Sequence, residues 1–230
     1  MTTRAPDAIA ILGGTGDQGL GLALRFARAG LSVVIGSRKE ERAITAADEV
    51  RKAVVGADVV GLENAAATRR AEVVILSVPF EHTAPTVRAL KDVLVPSQVV
   101  VSMGVPLATA IGDGAVRTVG VWQGSCAELV AGMVPDGVSV VSAFQNIASH
   151  RLQDLAHDVE CDVIVSGAKV PRERVMALCG LIPGLRAVDG GPLANARYVE
   201  GWTALLIGLN ARYKVPSGMG FRLTHLPDAR

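Results

Sequence analysis

The sequence feature that most constrains the fold is a glycine-rich segment near the N-terminus, Gly13-Gly14-Thr15-Gly16-Asp17-Gln18-Gly19. A short apolar run over 8–12 precedes it and has the length of one buried strand. Apolar residues at helical spacing follow it as far as Gly30, where a helix C-terminus is expected. A glycine loop between a strand and a helix is typical of dinucleotide-binding folds, because the free N–H groups at the helix start face the pyrophosphate.

The glycines of the G-x-G-x-x-G pattern are Gly14, Gly16 and Gly19. The first is expected to allow a tight turn, the second to let a pyrophosphate approach the backbone, and the third to let the helix pack on its strand. Such turns also occur without a ligand, but the strand and helix around this one favour dinucleotide binding. The predicted contacts in the loop are Gly14, Thr15, Gly16, Asp17, Gln18 and Gly19.

The second predicted strand, over 31–36, ends in Ser37 and Arg38, with Arg42 close behind. NAD-selective sites usually place a carboxylate at this strand tip for the ribose 2′-OH, whereas NADP sites supply a cation for the 2′-phosphate. An arginine fork and a hydroxyl suit a phosphate dianion. The alternative is an ordinary charged loop whose bases are neutralised by the two glutamates that follow. With the glycine loop before it, the strand tip favours NADP.

Strands and helices alternate along the first two thirds of the chain. Further strands are predicted over 58–62, 71–79, 98–102 and 137–144, and helices over 44–52, 64–70 and 126–133, with Asn64 as an N-cap. Another helix is predicted to begin near His82 and to be completed by residues 87–94. Such alternation implies right-handed crossovers and a parallel sheet. Residues 103–124 contain scattered glycines and are predicted to form a loop near the site.

The last third of the chain is expected to form a smaller unit. It contains predicted strands over 162–166 and 185–188, helices over 171–181 and 194–213, and a glycine-rich tail that folds back over the site. The sequence therefore predicts an α/β fold with a Rossmann-type doubly wound parallel sheet over 1–150. A small α/β C-terminal domain over 151–230 follows it.

Ligands of such folds bind at the carboxyl ends of the strands. Val78, Pro79 and Phe80 follow the fourth strand and are predicted to pack against the ribose and nicotinamide, and Gln145 follows the sixth. His82 falls in the first turn of the next helix. A proton donor is one interpretation of His82, but a phosphate contact or a solvated residue is the favoured one.

The chain lacks the motifs of other chemistries. It contains no nucleophile elbow, no H-E-x-x-H helix, no C-x-x-C pair and no Tyr-x-x-x-Lys pair, and its histidines have no metal-ligand spacing. Once these chemistries are excluded, the remaining reaction is hydride transfer by the nicotinamide itself. Hydride transfer normally requires a proton donor beside the acceptor. An acceptor that is itself an electron-accepting ring would relax that need, so no catalytic side chain and no metal are predicted.

Composition excludes several classes of protein. A net charge of +1 and 3% aromatic residues do not fit a nucleic-acid or membrane-surface protein. Cys126, Cys161 and Cys179 are far apart and odd in number, which favours buried thiols over disulfides. Residues 1–7 contain no apolar signal core, and no apolar run is long enough to span a bilayer. A soluble protein of the cytoplasm is expected.

Several motifs, in the same order along nearly the whole chain, resemble the F420H2:NADP+ oxidoreductases, also called NADPH-dependent F420 reductases. They lie at 11–16, 35–38, 78–82, 191–200 and 218–220. The resemblance implies a reversible hydride exchange between NADP(H) and the deazaflavin coenzyme F420. It also implies a homodimer with a small C-terminal domain.

The resemblance assigns roles in the NADP half of the site. Thr15 matches the loop threonine that lies beside both cofactors. Ser37, Arg38 and Arg42 match the contacts of the 2′-phosphate. The positions that line the NADP site are matched by Phe80 and Ala84.

In the deazaflavin half, Arg197 and Thr203 match polar positions near the coenzyme. Their alternatives are an ordinary surface cation for Arg197 and a hydroxyl that bonds back to its own helix for Thr203. Two departures from the family pattern fall on the same side. Gln145 stands where some members have histidine, and Gly201 stands where some have serine.

Two other functions fit parts of the sequence. One is an NADPH-dependent reductase of a small imine or carbonyl compound, with His82 or Gln145 positioning the substrate. The other is a non-catalytic NADP(H) sensor whose C-terminal half binds a partner protein. Both would bind NADP(H) through the glycine loop and the strand tip. They differ from an F420 reductase in what the rest of the site binds.

Overall fold

The computed structural model describes residues 6–226. The N-terminal segment 1–7, considered above for a signal sequence, therefore lies mostly outside the described residues. Its strands are β1 (Ala8–Leu12), β2 (Ser32–Ser37), β3 (Val59–Glu63), β4 (Val73–Leu76), β5 (Val99–Ser102), β6 (Ser139–Ser142), β7 (Cys161–Gly167) and β8 (Leu185–Asp189). They form one sheet in the order β3-β2-β1-β4-β5-β6-β7-β8. The strands from β3 to β6 are parallel, which confirms the Rossmann-type α/β fold.

Helices cover both faces of the sheet: α1 (Asp17–Arg28), α2 (Glu40–Ala53), α3 (Asn64–Arg69), α4 (Phe80–Leu90), α5 (Cys126–Ala131), α6 (Ser149–Gln153), α7 (Lys169–Cys179) and α8 (Ala196–Tyr213). Because side chains alternate along a strand, Ile9 and Ile11 join one apolar cluster with α1, whereas Ala10 and Leu12 join a second with α4. No helix within residues 6–226 has both the length and the apolar character to cross a membrane.

Some predicted boundaries move. The helix predicted to contain His82 in its first turn starts at Phe80, in agreement, but it ends at Leu90 and not at residue 94, because residues 91–93 form turns. Asn64 is not the N-cap of α3. Glu63 occupies that position and its carboxylate accepts a hydrogen bond from the Ala65 N–H at 2.8 Å, so Asn64 is the first helical residue.

The segment after β6 contains a short helix, α6, that the sequence did not predict. It is fixed by Arg25 of α1, whose side chain is buried and donates to four main-chain carbonyls. The acceptors are Leu152 at 2.8 Å, Arg151 at 2.7 Å, His157 at 2.9 Å and Asp154. Burial lowers the pKa of this arginine. A long-range contact of this kind leaves no local pattern, so the sequence offered no signal for it.

The sheet continues through the predicted domain boundary at residue 150. β7 runs antiparallel to β6, with Val141 opposite Gly167 and Ser142 opposite Ser166, and β8 runs parallel to β7. The two strands of the last third therefore extend the sheet that β1–β6 form. The division into 1–150 and 151–230 stays a prediction about what each part does.

The C-terminal tail lies along the start of β7. Asp162 is fully buried, and its carboxylate accepts a bidentate pair of hydrogen bonds from Arg186 at 2.8 and 2.7 Å, together with Arg222 at 3.0 Å and the Leu223 N–H at 2.7 Å. Burial raises the pKa of Asp162, but these bonds outweigh it and lower the pKa overall. The tail is thus held by charge at the sheet and not over the ligand crevice, where it was expected.

Helix α8 is attached to α5 by a buried carboxylate. Glu200 is 2% exposed, and its two oxygens accept the Cys126 N–H at 2.8 Å and the Ala127 N–H at 3.1 Å, at the start of α5. Burial raises the pKa of Glu200 to about 7, because the two hydrogen bonds only partly replace the lost water. Ionisation of this group near neutral pH therefore has an energetic cost.

The raised pKa predicts a pH-dependent stability. Because the folded-state pKa of Glu200 lies above its ordinary value, its contribution is complete below about pH 4.5 and is lost as the pH rises through about 7. We expect the free energy of unfolding to fall by about 1–3 kcal/mol across this window. Denaturant titrations at several pH values measure it, and Glu200→Gln, which cannot ionise, should flatten the slope. The same slope in both proteins would contradict the role of Glu200.

Candidate functional site

The site lies where the strand order reverses, between β1 and β4, at the carboxyl ends of the strands. Two cavities meet there. The larger, about 620 Å³, contains Arg38 and Arg42 and is called the Arg38 cavity. The other, about 460 Å³, contains Gln145 and is called the Gln145 cavity. Both are lined by Gly16, Ser77, Val78 and Pro79, so they are two halves of one cleft.

The glycine that makes the tight turn of the loop is not the predicted one. The left-handed backbone of the turn falls at Gly13, with φ +79°, and a Cβ there would overlap the Ser77 carbonyl. A Cβ on Gly19 would stand 2.7 Å from the Gly13 carbonyl oxygen and 2.7 Å from the Gly14 Cα, so this glycine lets α1 pack closely on the loop. At Gly14 the Cβ would be 2.9 Å from Ile11. Gly13, absent from the predicted contacts, is thus the turn residue.

Gly16 is the part of the loop left open. It is the N-cap of α1, and a Cβ built on it meets only the Gly13 carbonyl, at 3.5 Å. The Gly16 N–H donates to the Gly13 carbonyl at 3.1 Å, so the N–H groups left for a ligand are those of the first turn of α1, which starts at the exposed Asp17. A phosphate binds well at such a helix start. This geometry fits the predicted approach of a pyrophosphate to the second glycine.

The Arg38 cavity brings together the residues predicted for the 2′-phosphate. Ser37 is 9% exposed at the end of β2, and Arg38 and Arg42 are exposed beside it. In the part of the chain that the structure describes, neither arginine forms an ion pair or a side-chain hydrogen bond. The alternative in which Glu40 and Glu41 neutralise these bases is therefore not what the structure contains. Two free guanidinium groups are available for an anion.

Two other predicted residues fall in the Arg38 cavity only. Thr15 lines it, but does not line the Gln145 cavity, so the structure does not bring Thr15 to both halves of the cleft. His82, in the first turn of α4, also lines the Arg38 cavity and is exposed. Its distance from the other half disfavours the interpretation of His82 as a proton donor to an acceptor there.

The Gln145 cavity is bordered mainly by main chain and uncharged side chains, with two carboxylates at its exposed rim. Phe80, the first residue of α4, lines it with Thr203 of α8. The predicted loop near the site contributes a further group of lining residues, which the sequence did not name singly: Met103, Gly104, Val105, Leu107 and Thr109. The ionisable residues that line it are Asp17 and Glu81, which are exposed. Within the described range 6–226, the lining of this cavity contains no buried acid or base.

Gln145 is the polar group with unused capacity in this cavity. It is 6% exposed, and its Nε2 donates to Ser142 Oγ at 2.9 Å, whereas its Oε1 is buried without a hydrogen-bond partner. Thr203 Oγ1 donates to the Gln145 carbonyl oxygen at 3.2 Å and to the Val199 carbonyl oxygen at 3.2 Å. An unpaired buried acceptor is costly, so its presence here indicates a ligand donor.

A strained residue sets the direction of Gln145. Phe144 precedes it with φ +69°, which is rare for a bulky side chain, and its ring packs edge-on against Phe26 at 6.0 Å. Gln18 of α1 donates to the carbonyl oxygens of Phe144 at 3.4 Å and Ile147 at 2.8 Å. The first helix after the glycine loop therefore holds the turn after β6 in place.

Arg197 does not line the same cavity as Thr203. Six residues of helix separate them, which is about one and two-thirds turns, so their side chains leave α8 on different sides. Arg197 pairs with Glu128 at 3.0 Å and lines a third cavity, of about 410 Å³, that also includes Glu200 and Gly201. Of the remaining predicted contacts, Ala84 is half-buried on α4 and lines neither half of the cleft.

The fold has known relatives among solved structures. A structure from Arthrobacter sp. FB24 superposes with a TM-score of 0.77 at 21% identity, over 94% of this chain and 99% of that one. An imine reductase from Myxococcus stipitatus gives a TM-score of 0.58 at 15% identity, over 92% of this chain and 63% of that one. At these identities the likeness concerns the fold alone.

Sequence comparison goes further. A family model described as "NADP oxidoreductase coenzyme F420-dependent" matches residues 8–106. The F420-dependent NADP reductase of Methanothermobacter marburgensis is 42% identical over 224 residues, which are 96% of this chain and 99% of that protein. That of Methanocaldococcus jannaschii is 47% identical over 223 residues, 95% of this chain and 98% of that protein. On this full-length similarity, the chain belongs to the family of F420-dependent NADP reductases.

Proposed function

We propose that this protein catalyses reversible hydride transfer between NADP(H) and the deazaflavin coenzyme F420. The observation that carries the proposal is the single cleft with two unlike halves, which meet at Gly16 and residues 77–79. One half is lined by cations, and the other is lined mainly by uncharged groups and contains no cation in its lining. Two substrates bound from either side would meet with their rings at this boundary. The family's full-length relatives, which are named F420-dependent NADP reductases, support the same reaction.

In this proposal NADP(H) occupies the Arg38 cavity. The 2′-phosphate lies against Ser37, Arg38 and Arg42, because a dianion gains most from paired guanidinium groups. The pyrophosphate lies on the N–H groups of the glycine loop. The nicotinamide then reaches the boundary of the cleft, between Val78 and Phe80.

F420 occupies the Gln145 cavity. Its ring carries both donors and acceptors, and the orphaned Gln145 Oε1 and the Thr203 hydroxyl are the polar side-chain groups that would meet them. The apolar side chains of Phe80 and Met103 keep water from the boundary. The likeness to the family also assigned Arg197 to this half, but its pairing with Glu128 gives that assignment no support from this chain.

The chemistry needs little from the protein beyond position. NADPH gives a hydride, with both electrons, to the deazaflavin ring, and the ring takes one proton from solvent, so that NADPH, H+ and F420 become NADP+ and F420H2. The conjugated ring accepts the electron pair itself, so the step does not require a buried acid beside it. Holding the two rings in contact is the main contribution to the rate.

The experiment is to mix protein, NADPH and oxidised F420 and to follow the loss of the deazaflavin's visible absorbance. Thr203→Val should raise the KM for F420 about fivefold and leave the KM for NADPH unchanged, because one hydrogen bond to the ring side of the cleft is lost. Thr45→Val is the matched control, since Thr45 also bonds back along its helix, to the Glu41 carbonyl, but lies outside the cleft.

Three results would contradict the proposal. Absence of F420 reduction with turnover of a cyclic imine would favour the imine reductase. Tight NADPH binding without oxidation by any acceptor would favour the sensor. Equal changes in both KM values for Thr203→Val would remove Thr203 from the F420 side.

The cation at the strand tip gives a second prediction. Arg38→Ala should weaken NADPH binding by about tenfold or more and leave NADH binding nearly unchanged, because only NADPH carries the 2′-phosphate. Arg69→Ala, at the exposed end of α3 and outside both cavities, is the charge-matched control. Dissociation constants for both nucleotides measure the effect. An equal loss for NADPH and NADH would mean that Arg38 does not contact the 2′-phosphate.

We also propose that the protein is a cytoplasmic homodimer. The three cysteines are buried and free, as a reducing compartment permits. A second copy is expected to cover an apolar patch made by residues 108–124 and the adjoining outer side of α8, which pack together near Gly208 and Val116. The exposed members of the patch are Ile111, Val116, Trp122, Tyr198 and Leu205. Trp122 is 96% exposed, which is costly for a side chain of this size in a monomer.

The dimer has its own test. Leu205→Glu should convert a dimer to a monomer in sedimentation experiments, because it introduces a charge into the apolar patch. Val55→Glu is the control, since Val55 is 95% exposed but lies away from the patch, at the end of α2. A monomeric wild-type protein, or a Leu205→Glu protein that stays dimeric, would refute this interface.

A further inference from the structure

One buried amide takes no part in the interactions described so far. Asn64 begins α3 at the carboxyl end of β3 and is 8% exposed. Its Oδ1 is buried without a hydrogen-bond partner, and within residues 6–226 no protein group hydrogen-bonds to the carboxamide. The cap of α3 is supplied by Glu63, so the amide is not needed there. A buried polar group of this kind is expensive unless a ligand satisfies it.

The position of Asn64 connects it to the NADP side of the cleft. It lines the Arg38 cavity and also a smaller cavity of about 280 Å³ beside it. The two cavities share four lining residues, Arg38, Asn64, His82 and Thr86. The smaller cavity is otherwise bordered mainly by apolar parts of α4, at Pro85, Ala89 and Leu90. Glu63 and Ala65 complete the lining. An apolar wall with an amide at its edge suits a heteroaromatic base.

We propose that Asn64 binds the adenine base of NADP(H) and makes the site selective for it. The proposal rests on the NADP half of the proposed function, because the 2′-phosphate at Arg38 brings the adenosine to this end of the cleft. The amide oxygen accepts from the 6-amino group, and the amide nitrogen donates to N7, which is the bidentate pairing that asparagine makes with adenine edges. The base stacks between the Arg38 guanidinium and the wall of α4.

The surroundings of the amide leave its hydrogen bonds unused. A Cβ at Gly36 of β2 would stand 3.0 Å from Asn64 Oδ1, so in the free protein this oxygen faces the strand, and a half-turn of the carboxamide brings it towards a base. Because neither amide atom has a protein partner, either orientation of the carboxamide costs no internal bond. The base therefore selects the orientation, with oxygen towards its amine.

The test compares NADPH with its hypoxanthine analogue, in which oxygen replaces the 6-amino group and N1 gains a proton, while N7, the riboses and the phosphates are kept. One carboxamide cannot donate to both O6 and N7 in this geometry, so the wild-type protein should bind the analogue about tenfold more weakly. Asn64→Leu, which keeps the size of the side chain, should bring the ratio of the two dissociation constants close to one. Asn64→Asp keeps an acceptor for the amine and should retain part of the preference.

The ratio separates a base contact from a structural role, because both nucleotides carry the same phosphates and riboses. Equal binding of the two by the wild-type protein, or an equal loss for both in Asn64→Leu, would overturn the proposal. If Asn64→Leu does not fold, the wild-type ratio and Asn64→Asp decide it. These are binding measurements without F420, so a failure of F420 reduction with a preserved ratio would refute the proposed reaction and leave the adenine contact standing.

Discussion

The site depends on one steric constraint, the close approach of β1, the start of α1 and the end of β4. A side chain at Gly13 would overlap the Ser77 carbonyl, and one at Gly19 would stand 2.7 Å from the Gly13 oxygen. Because both positions are glycine, the start of α1 and the end of β4 lie against each other. Gly16 is then left open at the middle of the cleft. The shared boundary of the two cavities is a direct consequence of this contact.

The second half of the site is tied to the same helix. Gln18 follows the glycine loop and donates to the carbonyls of Phe144 and Ile147, so the turn that directs Gln145 moves with α1. Arg25, two turns further along, holds the segment after that turn through main-chain carbonyls. The first helix therefore sets the distance between the Arg38 cavity and the Gln145 cavity. A reaction that needs two rings in contact depends on such a fixed distance.

The sequence predicted the features that depend on local patterns. Apolar runs and glycine signals located the strands and the loop, and the cationic strand tip pointed to Ser37, Arg38 and Arg42, which do lie together. It failed where contacts join distant residues. Nothing local marks Arg25 as an anchor for α6, or Glu200 as the partner of the α5 N-terminus.

Arg197 and Asn64 show the same limit in the site itself. Helical spacing could have separated Arg197 from Thr203, because six residues do not return to the same side, but the ion pair with Glu128 is visible only in three dimensions. Asn64 carried a local signal that pointed to the wrong role. An asparagine before a helix is a good N-cap, yet Glu63 performs that task one residue earlier.

Fold alone does not distinguish this protein from reductases with other acceptors, since an imine reductase shares much of its architecture at 15% identity. The difference must lie in groups that the fold does not need. Gln145 and Asn64 are such groups, because each is buried, each keeps an oxygen without a protein partner, and they stand in opposite halves of the cleft. A buried oxygen without a hydrogen bond lowers the stability of the free protein, and the binding of a ligand with a matching donor offsets this cost. Specificity at both ends would thus come from the same physical cost, with Gly16 between them left bare for the phosphates.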